Sequence, residues 1–116
     1  MSKYQDLLVW QKSMYSVEDV YAVVRQLPKY ETYALIHQLR RAAVSVPSNI
    51  AEGQNRGSVN EVVQFSGVAL GSLAEVETQL EIVRRIYDID TLNTQNSVRE
   101  ISRMLVGLIK SLLSKM

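Results

Sequence analysis

The chain holds few residues able to do chemistry, and their spacing narrows what they could do. Cysteine is absent, which removes disulfides, thiol nucleophiles and cysteine-ligated metals. The single histidine, His37, cannot build a multi-histidine metal site. Paired carboxylates on neighbouring helices do hold di-metal centres, but that constellation uses a Glu-x-x-His step, which is missing here. Glu52 and Glu75 could serve general acid–base chemistry, yet no nucleophile–base pair or phosphate loop accompanies them. No catalytic residue, metal or cofactor is expected. His37 lies four residues before Arg41, on a polar flank, and reads as a solvated or hydrogen-bonded side chain.

Two polar groupings remain. Arg41, Ser45, Asn49 and Glu52 follow one another at helical spacing, beside an apolar face. Ser72, Glu75 and Gln79 form a similar stripe beside Gly71. Gly67 and Gly71 are four apart, so a neighbouring backbone is expected to come close there and to bring Glu75 within reach of Arg41. The expected role is a structural network that fixes helix register. The second grouping is basic. Arg84 and Arg85 are adjacent, and Arg99, Arg103 and Lys110 share one face further along. If the two helices are antiparallel neighbours, Arg84, Arg85, Arg99 and Arg103 gather into one patch able to contact phosphates. The plainer accounts are a favourable interaction with a helix C-terminus and a solvated face. Trp10 and the six tyrosines read as core and interface aromatics rather than base-stacking platforms.

Composition sets the limits. At 116 residues the chain is one domain's worth, and 47% hydrophobic residues argue against disorder. Thirteen basic residues face twelve acidic ones, a net charge of +1. Bulk charge therefore does not mark a nucleic-acid binder, and any anion site must be local. An oligomer would repeat such a patch and raise its affinity. The start is polar, and no apolar run approaches the ~18 residues that span a bilayer. A membrane partner is not expected, and the default compartment is the cytoplasm.

The elements that must position these residues are helices, expected over about 6–27, 31–54, 58–87 and 94–115, in a single domain over 1–116. Leu7, Trp10, Met14, Val17, Tyr21 and Val24 form the first stripe. Leu35, Leu39, Ala42, Val46 and Ile50 form the second. The third runs from Val62 through Leu73 and Leu80 to Tyr87, and the fourth from Val98 through Leu105 to Leu112. Pro28 ends the first helix. Pro47 is expected to kink the second; the rival reading makes it the first turn of a separate helix capped by Ser45 or Val46. Gly53 to Gly57 is expected to be a loop, and Ser58 with Glu61 opens the third helix as a capping box. The result is an all-α, antiparallel up-and-down four-helix bundle. The fourth helix is apolar beyond one face, through Met104, Val106, Ile109 and Leu113, and the second adds Ile36, Ala43 and Val44. Such excess predicts homo-oligomerisation, against the simpler scatter of exposed apolar residues common on monomers.

Three segments carry a family resemblance: Gln38 to Gly53 (QLRRAAVSVPSNIAEG), Tyr4 to Lys12 (YQDLLVWQK) and Gly71 to Leu80 (GSLAEVETQL). They resemble the bacterial four-helix-bundle proteins, many of them encoded in intervening sequences within large-subunit ribosomal RNA genes. The resemblance spans essentially the whole chain. It implies a homopentameric, barrel-like ring, in a family with no established catalytic activity. It also implies a distant relation to the accessory protein of diversity-generating retroelements, a pentameric bundle that binds nucleic acid and a reverse transcriptase. Two functions follow as expectations. One is a non-enzymatic binding protein for RNA or a ribonucleoprotein. The other is a protein–protein scaffold or accessory subunit for an enzyme partner such as a reverse transcriptase.

Overall fold

The computed structural model describes residues 3–116; Met1 and Ser2, part of the polar start, lie outside it. Four helices dominate: α1 (Leu8–Val24), α2 (His37–Arg56), α3 (Val59–Tyr87) and α4 (Leu92–Ser114). No strand occurs among the described residues. The molecule measures 47 × 20 × 20 Å. At ~1.5 Å rise per residue the 29 residues of α3 nearly span its long axis.

Side-chain contacts give the direction of each neighbour. Ser45 meets Ser72 and Gln38 meets Gln79, so α2 and α3 are antiparallel. Gln95 meets Glu81 and Arg99 meets Glu77, so α3 and α4 are antiparallel too. Lys12 pairs with Glu100, tying α1 to α4. The bundle is up-and-down, as the stripes predict. Its core takes residues from every helix, with Val20, Leu39, Val46, Leu73, Leu80, Val98, Ile101 and Leu105 all but sealed from solvent.

Helix α1 departs from its expected face. Of the expected stripe only Val24 is buried; Met14 is 42% exposed, Tyr21 is half-buried, and Leu7, Trp10 and Val17 are half-buried against the core. The buried line is instead Val9, Ser13, Ser16, Val20, Val23 and Leu27, a heptad line that includes two serines. Each hydroxyl is satisfied within its own helix. Ser13 Oγ donates to Trp10 O and Ser16 Oγ to Ser13 O, both at 2.7 Å. A serine so bonded costs little to bury.

The region before α2 also differs. The expected helix from about residue 31 is a 3-10 turn, Lys29–Glu31, followed by a π turn, Thr32–Ile36. Helical geometry breaks at Ala34 (φ −120°, ψ −106°), and no kink is shown at Pro47. Pro47 lies buried inside the continuous helix α2, which excludes a separate helix starting there. Proline cannot donate to the carbonyl of Ala43. Just beyond it, side chains reinforce the next two carbonyls: Ser48 Oγ donates to Val44 O at 2.7 Å, and Asn49 Nδ2 to Ser45 O at 2.8 Å.

The glycines change places in the argument. Helix α2 runs to Arg56, so Gly53 is helical rather than in a loop. Gly57 alone turns the corner, with φ 85°. The close approach of backbones is at Gly53, where an added Cβ would lie 2.8 Å from Phe65 Cβ. At Gly67 and Gly71 an added Cβ meets nothing within 4 Å, so no neighbour packs there. Ser58 caps α3 by accepting from the Glu61 backbone N–H at 3.2 Å.

Candidate functional site

The basic grouping lies on the face shared by α3 and α4. Glu81 is its centre. Arg84 grips that carboxylate with two donors, Nε at 3.0 Å and Nη2 at 2.6 Å, and Arg85 Nε adds a third at 2.8 Å. Gln95 Nε2 donates to it from α4 at 3.2 Å. The Arg84 guanidinium, then Arg85 and Gln95, hold the Glu81 carboxyl well below the usual carboxylate range. The same contact raises Arg84. One step along, Arg99 Nε donates to Glu77 at 2.7 Å across the helix pair. Arg85, Arg99, Glu77 and Glu81 line one shallow cavity of about 520 Å³. Arg103, one turn beyond Arg99, is exposed and makes no ion pair among the described residues.

Gln95 orders this face from beneath. It is 2% exposed, and its Oε1 accepts from the Thr91 hydroxyl at 2.7 Å. Thr91 is itself buried at the turn between α3 and α4, its Oγ1 3.3 Å from Leu80 O. The turn is therefore linked through Thr91 and Gln95 to Glu81, and through Glu81 to two arginines. Sequence reasoning found the arginines but passed over Glu77, Glu81, Thr91 and Gln95. The spacing of Glu81, three and four residues before Arg84 and Arg85, is an ordinary helical ion-pair signal. The Glu77–Arg99 contact needs the tertiary register.

The expected polar network divides into four. Ser45 Oγ accepts from Ser72 Oγ at 2.8 Å and from Asn49 Nδ2 at 2.9 Å, joining α2 to α3. Gln79 Nε2 donates to Gln38 Oε1 at 3.3 Å. Glu52 belongs elsewhere: it pairs with Arg56 at 3.3 Å, which also reaches Glu61 at 3.3 Å and covers the Phe65 ring. Arg41 and Glu75 line one groove but form no ion pair among the described residues, and the close approach expected at Gly67 and Gly71 is absent. His37 is exposed. Among the described residues no three His, Asp or Glu side chains gather as metal ligands would.

The chain is thus an antiparallel four-helix bundle that carries arginines held by carboxylates on its α3–α4 face. The same fold occurs in a crystal structure of a protein of unknown function from the S23 ribosomal protein family of Bacteroides thetaiotaomicron. The TM-score is 0.79, with 24% identity over 89% of this chain and 99% of that one. The family described as 23S rRNA-intervening sequence protein matches residues 5–107, and the chain belongs to that family. None of the curated proteins matches it. Neither the family description nor that of the structural neighbour names an enzymatic activity. No helix among the described residues is long and apolar enough to cross a membrane.

Proposed function

We propose that this chain is a non-enzymatic, homo-oligomeric binding protein whose ring, a pentamer as the family resemblance implies, engages RNA or a ribonucleoprotein. The observation that carries the reading is the convergence of Arg84, Arg85 and Arg99 on one α3–α4 face, with Arg103 exposed one turn beyond Arg99 on α4. The family's link to ribosomal RNA genes supports it. The guanidiniums are held in place by Glu77 and Glu81 and present their remaining donors outward, an arrangement suited to phosphate oxygens. Assembly is supported by apolar side chains left exposed along α4 and the end of α3: Val106 at 40%, Leu113 at 50% and Ile86 at 64%. By contrast, Ile36 and Ala43 are spent in the subunit's own core.

The test is anisotropy against single-stranded RNA, structured RNA and duplex DNA, with light scattering to record assembly. Four phosphate contacts per subunit should make single-strand binding fall ~50-fold between about 50 and 200 mM salt. Replacing Arg84, Arg85, Arg99 and Arg103 together by Glu should abolish binding while assembly persists. Unchanged binding sinks the assignment. The exposed α4 side chains also favour a second reading, a scaffold or accessory subunit for an enzyme such as a reverse transcriptase. A well-formed oligomer that binds no nucleic acid, yet retains one protein partner after nuclease treatment, would put that reading first.

A further inference from the structure

The groove between α2 and α3 holds charges that neither the bundle core nor the arginine face uses. The register that sets Ser45 against Ser72 and Gln38 against Gln79 also sets Arg41 against Glu75. Opposite charges so placed would ordinarily close on each other. Here both are exposed, on facing walls of a cavity of about 380 Å³. Among the described residues neither makes an ion pair. One neutral pair on the lining is under-used as well. Ser45 and Ser72 share one hydrogen bond, so one hydroxyl proton of the pair is left over.

We propose that this groove binds a small zwitterion, a free α-amino acid, with its carboxylate on Arg41 and its ammonium on Glu75. The volume falls within the ~300–1,000 Å³ common for small-molecule sites. The lining argues for a polar occupant. A simple anion would sit against Glu75, and a simple cation against Arg41, each leaving one charge desolvated without a partner. A zwitterion satisfies both. The spare serine proton adds a donor for the carboxylate.

The full-length protein, in its assembled form, would be screened against the free natural amino acids by saturation-transfer NMR. The expected result is at least one ligand with a Kd below ~1 mM. Its methyl ester, which lacks the carboxylate charge, and its N-acetyl derivative, which lacks the ammonium, should each bind at least ~10-fold more weakly. Arg41→Gln and Glu75→Gln should weaken the parent ligand to a similar degree, with circular dichroism and light scattering unchanged. The derivatives are tested on the unaltered protein, so the proposal stays decidable even if a variant misfolds. No binding by any amino acid overturns it, as does equal binding of the derivatives. Variants that shift the oligomeric state would also overturn it, by making the groove the seat of a second copy.

Discussion

Adding one methyl group at Gly53 tests the packing of α2 on α3 directly. A Cβ there would lie 2.8 Å from Phe65 Cβ, 3.2 Å from Glu61 O and 3.3 Å from Val62 Cα. Two of these atoms are backbone, and the third is bonded to it. No rotamer change can move them, so α3 itself must shift. Overpacking of this kind costs ~1–3 kcal/mol. Against it stands the helix propensity of alanine, worth up to ~1 kcal/mol over glycine in a helix interior. Gly53→Ala should therefore be destabilising by up to ~2 kcal/mol. Gly67→Ala meets nothing within 4 Å and should show only the propensity gain. The quantity to measure is the gap between the two variants, ~1–3 kcal/mol, which for a chain of this size is a Tm difference of ~4–12 °C. Thermal unfolding at one fixed protein concentration reads it, since assembly makes Tm concentration-dependent. If Gly53→Ala proves as stable as Gly67→Ala, the close approach at Gly53 is refuted.

Two further outcomes follow from the polar contacts. Gln95→Met keeps the side-chain volume but takes the nearer of two acceptors from the buried Thr91 hydroxyl, leaving Leu80 O at 3.3 Å, and frees Glu81 from α4. Urea unfolding should show a loss of ~1–3 kcal/mol, and RNA binding by the assembled variant should weaken as Glu81, which still holds Arg84 and Arg85, loses its tie to α4. Glu81 also predicts an acid limb. Its carboxyl is depressed below the ordinary 4.5, so the unfolded chain takes up the proton first. The stabilisation is complete above pH 4.5 and is lost as pH falls toward the depressed folded value. Glu100, depressed by Lys12, acts in the same direction. Tm should therefore drop on acidification below about pH 5, less steeply in Glu81→Gln; an identical acid limb in that variant would count against the Glu81 contacts.

The bundle was legible in the sequence wherever burial follows residue type. Leu39, Ala42, Val46 and Ile50 in α2, and Ala69, Leu73, Val76 and Leu80 in α3, repeat at helical spacing and are all buried. On α1 the helix was legible but its most buried line was missed, because Ser13 and Ser16 are polar by type but satisfied by carbonyls of their own helix. Pairing glycines by spacing also failed. Gly67 and Gly71 do share a face, but which face meets a neighbour is a tertiary fact, and the neighbour is at Gly53. The π turn at Thr32–Ile36 has no proline or glycine to announce it.

The arginine face shows the same division and has a consequence for recognition. Spacing along the chain placed Arg84, Arg85, Arg99 and Arg103, but not the carboxylates that set their electrostatics. Arg84 and Arg85 share one anion, Glu81, and Arg99 is matched by Glu77. A ligand must therefore compete with anions already in place. A single phosphate offers little more than Glu81 does, and exposed ion pairs are weakened further by solvent screening. A polyanion differs, because each added phosphate meets another guanidinium on the same face and, in an oligomer, on the next subunit. If the face binds RNA as proposed, the built-in carboxylates would raise the threshold for small anions while a nucleic-acid strand crosses it, a selectivity that a bare cluster of arginines would not have.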